Sequence, residues 1–236
     1  MTPVELWLPV GAIGFYLYDS LQPLWQNEVL YIRAGNRWRV VADSPVRRWG
    51  RRLVLPNPLL PHRPQFRVAW SLADQRAAVS TDPGSLFAAL RPVGVICQLL
   101  LWLLLCLPPV CWILGAGVTL LAQFALYYLL VIVALVVVFR RRDALGLRPR
   151  AFWSLAFDVL ACAPFAVNMV RKLSLRRGLE GDPIAFAAHE FDPATREALT
   201  RLISHRLEEE EAGDAPSAQR QQQIASWLAR LRNSRP

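Results

Sequence analysis

The chain has 236 residues, a formal net charge of +9 and a mean hydropathy of +0.25. Apolar residues make up 54% of it, which is typical of a membrane protein with sizeable aqueous parts. Its four cysteines, Cys97, Cys106, Cys111 and Cys162, lie in apolar surroundings, and their spacings match no common metal or redox motif. The composition therefore argues against a disulfide scaffold and against a cysteine-ligated metal centre.

Residues 1–25 are predicted to form an N-terminal transmembrane helix. The uncharged core, residues 6–18, reaches only about 20 Å as a helix, whereas the hydrocarbon layer is about 30 Å thick. A full crossing must therefore extend to Trp25, with Asp19 near the interface and aromatic residues as anchors. The alternative is an interfacial or re-entrant segment. No basic residue precedes the core and no A-x-A site follows it, so a cleavable signal peptide is not predicted.

Residues 26–91 form a basic segment with eleven arginines, and its local pattern is typical of β-strands. Short runs at 29–32, 38–41 and 53–55, with an alternating run at 66–70, predict a small antiparallel unit of three or four strands. The first two runs flank Ala34-Gly35-Asn36-Arg37, which is predicted to be a hairpin turn. Prolines at 56, 58, 61 and 64 exclude a long helix between them.

Arg47, Arg48, Arg51 and Arg52 are the densest cluster of this segment. They are open to two interpretations, retention on the cytoplasmic side by the positive-inside rule or binding of anionic lipid headgroups or an acidic partner. Nucleic-acid binding is not expected, because we find no recognisable module and no aromatic residues placed for stacking.

Residues 92–139 contain no charged residue and no histidine over 48 positions. That is enough for two crossings and too long for one, since a crossing needs about 20 residues. The segment predicts a transmembrane helical hairpin. Its reversal is expected at Leu114-Gly115-Ala116-Gly117, where glycine admits unusual backbone angles, with Pro108-Pro109 as the alternative.

Residues 140–177 begin with three arginines that mark the cytoplasmic end of the hairpin. The apolar stretch 151–170 has the length of a span, but basic clusters at both ends favour an interfacial or re-entrant helix kinked at Pro164. A full span remains open. Asp158 is an intramembrane acid of possible function. The cluster that follows is a second candidate lipid-binding or partner-binding surface: Arg171, Lys172, Arg176 and Arg177.

Residues 178–236 are polar and predict a cytoplasmic helical tail. Asp182-Pro183 and Asp192-Pro193 each place a helix-capping residue before a proline, so a helix is expected to begin at both. The second should bury Leu199, Leu202, Ile203 and Leu207 on one face. A last helix over 218–232 carries an apolar stripe suited to a partner or a membrane surface: Ile224, Trp227, Leu228 and Leu231.

Together these features predict an α-helical integral membrane protein with a small cytoplasmic β unit and a helical tail. The sequence has no Walker A loop, dinucleotide fingerprint, G-x-S-x-G elbow or metal-ligand spacing, so no cofactor or metal is expected. We predict a non-enzymatic scaffold subunit of the bacterial inner membrane that binds anionic lipid and other subunits or a second copy. The alternative is a small membrane enzyme or transport component using Asp158 and nearby arginines on a lipid or anionic substrate.

Overall fold

The structure is a computed structural model that describes residues 3–41, 46–70, 83–114, 117–177 and 183–213, with Gln222, Ala225, Ser226 and Ala229. The chain divides into two compact units. Unit 1 comprises Met1–Leu21, Leu55–Pro64 and Asp82–Arg177, and unit 2 comprises Gln22–Val54, Gln65–Thr81 and Gly178–Pro236. This division differs from the sequence-based one, because a proline-rich loop from the basic segment folds with the helices and the tail folds with the strands.

Unit 1 is built mainly from helices, and the strands of unit 2 lie between its first two helices in the sequence. The helical elements are α1 (Pro3–Ser20), α2 (Pro83–Leu114), α3 (Gly117–Arg140), α4 (Pro149–Ala161), a 3-10 segment (Ala163–Asn168) and α5 (Met169–Arg177). Two stretches in the described part of the chain are long and apolar enough to cross a membrane, Gly84–Cys106 and Gly117–Arg140. They belong to α2 and α3, which pack against each other.

The predicted reversal at Leu114-Gly115-Ala116-Gly117 is bounded by the two long helices. α2 ends at Leu114 and α3 begins at Gly117, and residues 115–116 lie outside the described part of the chain. The alternative reversal at Pro108-Pro109 is wrong, since α2 continues through both prolines to Leu114. It also begins at Pro83, before the charge-free stretch, so Arg91 lies within the helix.

The N-terminal helix is shorter than a crossing to Trp25 requires. α1 ends at Ser20, and Gln22–Leu24 is a strand, β1. The extension to Trp25 is therefore wrong, because Pro23 has no backbone N–H for a helix and Leu24 pairs instead with Arg52. α1 is not one of the two candidate spans, so a crossing by this helix stays a prediction.

The stretch 151–170 is broken at Cys162, two residues before the predicted kink at Pro164. α4 ends at Ala161, Cys162 adopts a non-helical backbone with φ −134° and ψ 87°, and the 3-10 segment follows with Pro164 at its second position. α4 has 13 residues and so measures only about 20 Å, which is too short for a straight crossing.

Unit 2 holds six strands within its described residues, arranged as two antiparallel three-stranded sheets. The remaining strands are β2 (Glu28–Ala34), β3 (Arg37–Val40), β4 (Arg47–Arg48), β5 (Arg51–Val54) and β6 (Gln65–Ala69). The sheet orders are β1-β5-β4 and β3-β2-β6. The predicted turn is confirmed, because Ala34 pairs with Arg37 around Gly35, whose φ of +63° suits glycine. The predicted alternation is confirmed as well, with Phe66, Val68 and Trp70 buried.

The core of unit 2 joins sheet β3-β2-β6 to two tail helices, α6 (Pro183–Glu190) and α7 (Pro193–Gly213). Tyr31 packs edge-on against Phe191 at 4.8 Å between ring centroids, and Trp38 packs against Phe186 at 5.2 Å. Both helices begin at the predicted prolines. The Thr195 N–H donates to Asp192 Oδ1 at 2.9 Å, and this contact lowers the pKa of the Asp192 carboxyl.

The two apolar stripes predicted for the tail have different outcomes. Leu199, Ile203 and Leu207 of α7 are buried as predicted, and Leu202 is half-buried. The stripe of the last helix, Ile224, Trp227, Leu228 and Leu231, lies outside the described residues.

Candidate functional site

The first predicted cluster forms a β-hairpin, which we call the arginine hairpin (residues 47–52). β4 and β5 pair antiparallel around the two-residue turn Trp49-Gly50, so Arg48 faces Arg51 and Arg47 faces Arg52. Like charges directly opposite each other repel and destabilise a strand pair. The hairpin therefore needs an anion or a polarisable neighbour at each of its two arginine pairs.

The pair at the base of the hairpin has an internal counter-ion. Glu209 of α7 accepts from Arg47 Nη2 at 2.7 Å and also pairs with Arg52. Arg52 is only 4% exposed and donates through Nε to Gln26 Oε1 at 3.3 Å. Because it is buried and hydrogen-bonded, Arg52 is unavailable to an external ligand, although the sequence placed it in the binding cluster.

The pair at the tip of the hairpin is held by aromatic rings. The Arg48 guanidinium lies over the Trp49 ring at 4.2 Å and that of Arg51 over the Trp25 ring at 4.2 Å. Within the described residues no ion pair joins a carboxylate to either guanidinium. Both arginines and both indoles face solvent or lie near it.

The second predicted cluster does not form one surface. Arg171 is 1% exposed, Lys172 pairs with Asp19 at 2.9 Å, and Arg176 Nη2 lies 3.6 Å from Asp158 Oδ2. Arg177 Nη1 donates to the Ala144 carbonyl at 3.3 Å. The structure thus assigns internal contacts to all four cations, and Arg171 cannot reach a headgroup.

Arg171 lies at the centre of a buried polar network in unit 1 that the sequence did not indicate. Its Nη1 donates to Asn168 Oδ1 at 3.1 Å, and its Nη2 donates to the carbonyls of Asn57 at 2.6 Å and Leu60 at 3.3 Å. Burial lowers the pKa of this guanidinium, although arginine remains charged in proteins. The side chain therefore fastens the proline-rich loop 55–64 to α5.

The network continues into α1. Asn168 Nδ2 donates to Ser20 Oγ at 3.0 Å and to Asp19 Oδ2 at 3.1 Å, and Ser20 Oγ donates to the Tyr16 carbonyl at 2.8 Å. The Tyr16 hydroxyl donates to the Pro58 carbonyl. Asp19, which the sequence placed near the membrane interface, is therefore a part-buried acid with defined partners.

Asp158 has the opposite character. Its side chain is 44% exposed, compared with 14% for Asp19, and its ion pair with Arg176 is long. Its partner belongs to α5 of the same unit and not to the strands. An ion pair between two part-exposed side chains at this distance contributes little to stability.

A small cavity lies among α1, α2, α3 and the 3-10 segment. Its volume is about 80 Å³, and its lining includes Ala12, Leu104, Leu120, Phe124 and Pro164. Ligand sites usually measure about 300–1,000 Å³ and carry a few convergent polar groups. This cavity is too small and too apolar for a polar substrate.

In the described part of the chain, no group of three or more His, Cys, Asp or Glu side chains is arranged to hold a metal ion. No family model, curated protein or solved structure matches the chain.

Proposed function

We propose that the chain is a non-enzymatic membrane-embedded anchoring or scaffold subunit, placed in a bacterial inner membrane with unit 2 on the cytoplasmic side. Unit 1 provides the anchor. The arginine hairpin of unit 2 offers a cationic surface for anionic lipid or an acidic partner. Other membrane subunits or a second copy complete the assembly.

The apolar surface of unit 1 is the observation that carries this proposal. On α3, Leu121, Phe124, Leu129 and Ile132 are exposed, and only 28% of the most apolar stretch of this helix is buried. Exposed side chains continue on neighbouring helices: Val95, Leu99 and Trp102 on α2 and Trp153, Phe157 and Leu160 on α4. Soluble monomers rarely expose apolar patches of more than a few hundred Å². This surface is therefore better suited to contact with lipid than with water.

The polar groups of unit 1 support an anchor over an enzyme. Arg171, Asn168 and Asp19 hydrogen-bond to one another or to backbone carbonyls, and of these side chains only the Arg171 Nε has no partner within the described residues. A substrate would have to displace these contacts, whereas a structural network is expected to be satisfied internally.

The first prediction concerns retention and topology. The protein should stay in the membrane pellet after alkaline carbonate extraction. Single cysteines at Asn36 and Ala215, in a cysteine-free background, should resist an impermeant thiol reagent in intact cells, because arginine-rich flanks stay cytoplasmic. Both should react after permeabilisation, which is the control. Labelling of either position from outside would contradict the cytoplasmic placement, and extraction by carbonate would contradict the anchor.

The second prediction concerns the internal counter-ion. Glu209→Gln should increase the number of phosphatidylglycerol molecules that stay bound in native mass spectrometry, because Arg47 loses its carboxylate. The same change should speed hydrogen exchange in α7 and destabilise unit 2 by about 2 kcal/mol, since the buried Arg52 loses a charge-assisted bond.

Glu208→Gln is the matched control for this change. It removes the same charge one position earlier, at an exposed side chain for which no ion pair is found among the described residues. Equal lipid retention and equal exchange in the two variants would show that Glu209 does not hold the hairpin.

A further inference from the structure

The tip of the arginine hairpin combines an exposed indole with an unfavourable backbone. Trp49 is 84% exposed, and its φ of +51° lies in the left-handed region. Gly50 follows with φ +73°, so both central residues of the turn have positive φ. Such turns favour Asn-Gly, because asparagine tolerates this region and bulky residues do not. Trp49 thus occupies a strained position and buries little of its ring in return.

Strain of this kind points to a role outside the fold. A polar residue at position 49 would suit the turn better and would remove an exposed apolar ring from water. The tip also keeps two guanidiniums, of Arg48 and Arg51, that face each other across the strand pair and stack on indoles. Its chemistry is thus an indole at the apex, a second indole at Trp25 and two cations between them.

We propose that this tip is an interfacial docking element for an anionic lipid bilayer. Tryptophan prefers the headgroup level of a membrane, where its ring meets acyl chains and its N–H meets polar groups. Guanidinium binds phosphate oxygens through two parallel hydrogen bonds and is weakly hydrated, so it enters the headgroup region readily. The occupant is a surface of anionic phospholipid, and the recognised groups are phosphates beside acyl chains.

The proposal separates the four clustered arginines into two pairs. Arg47 and Arg52 hold the hairpin to Glu209 of α7. Arg48 and Arg51 contact the lipid. The docking proposal rests on the proposed membrane anchoring by unit 1. Because the two units are parts of one chain, this anchoring would keep the arginine hairpin at a high local concentration near the bilayer.

The test uses the full chain in nanodiscs of phosphatidylcholine alone or with added phosphatidylglycerol. Hydrogen exchange of the amides of residues 46–52 should slow in the anionic discs by about tenfold, and Arg48→Gln/Arg51→Gln should remove most of that difference. Trp49→Asn should also reduce it, yet this variant should be at least as stable as the parent in detergent, because asparagine suits the turn. If Trp49 were merely structural, its replacement would not be expected to weaken docking while leaving the protein as stable as before or more so.

Arg37→Gln/Arg39→Gln is the matched control, because it removes two exposed charges from β3 of the same unit. Equal losses in both double variants would overturn specific docking in favour of diffuse attraction. Equal exchange in the two kinds of disc would also overturn it. Protection by a polyglutamate peptide in phosphatidylcholine discs, without a phosphatidylglycerol effect, would replace lipid by an acidic protein. In each of these outcomes the protein should still resist extraction by alkaline carbonate. Failure of the docking proposal can therefore be distinguished from failure of the proposed anchor.

Discussion

Arg171→Met should destabilise unit 1 by about 3 kcal/mol, the largest effect we expect from a single substitution in this chain. The change keeps an unbranched side chain but removes the donors that reach Asn168, Asn57 and Leu60. Three acceptors then lose a hydrogen bond from a buried charged donor, and each bond to a charged group contributes about 1.5–3 kcal/mol. Each acceptor keeps a second donor, from Ser20, Leu60 or Arg63, so the three losses do not add in full. Loss of the buried charge offsets part of this, as does loss of the Arg171 Nε, which has no partner among the described residues.

The measurement is unfolding by SDS titration in mixed micelles, followed by tryptophan fluorescence. Arg177→Met is the matched control, because it removes an arginine that donates to a single carbonyl at 3.3 Å on an exposed part of α5. We expect it to change the free energy of unfolding by less than about 1 kcal/mol. A stability of Arg171→Met equal to that of the parent would mean that the loop 55–64 is held by its prolines and not by the guanidinium.

The parts of the fold that were predictable from sequence depend on neighbours in the chain. The turn at Gly35-Asn36 needs positive φ beside alternating strands, and the starts of α6 and α7 need an aspartate before a proline. The hairpin of α2 and α3 follows from the uninterrupted apolar length and two glycines. Each of these signals lies within a few residues of the structure that it specifies.

The parts that were not predictable depend on partners far along the chain. Asp19 meets Lys172, and Glu209 meets Arg47 and Arg52, across separations of about 150 residues or more. A list of arginines does not say which of them are buried, because burial is decided by helices that the chain reaches much later. Sequence reasoning therefore placed Arg52 and Arg171 on a binding surface, whereas both have internal acceptors. The prolines of 55–64 excluded a helix but did not indicate which group would bind the freed carbonyls.

Asp19→Asn and Asp158→Asn should have different effects, although both carboxylates belong to unit 1 and both pair with a cation of α5, at 2.9 Å and 3.6 Å respectively. Asp19→Asn should lower the free energy of unfolding by about 2–3 kcal/mol, because it leaves Lys172 part-buried without a carboxylate 2.9 Å away. Asp158→Asn should cost less than about 1 kcal/mol, since an exposed pair at 3.6 Å contributes little. The two variants share one chemical change and differ only in environment, so each serves as control for the other.

A double variant sharpens the comparison. Asp19→Asn/Lys172→Met should recover part of the stability lost in Asp19→Asn, because the unpaired cation is gone, and the coupling in the cycle measures the pair itself. The same two single variants also test the proposed function. Suppose Asp158→Asn abolishes a measurable reaction on a lipid or anionic substrate while fold, lipid retention and assembly stay intact. The scaffold would then be rejected in favour of an enzyme that uses Asp158 beside Arg176. Because Asp158 is solvated, its replacement should barely change the stability of the fold, so a loss of activity could not be attributed to unfolding.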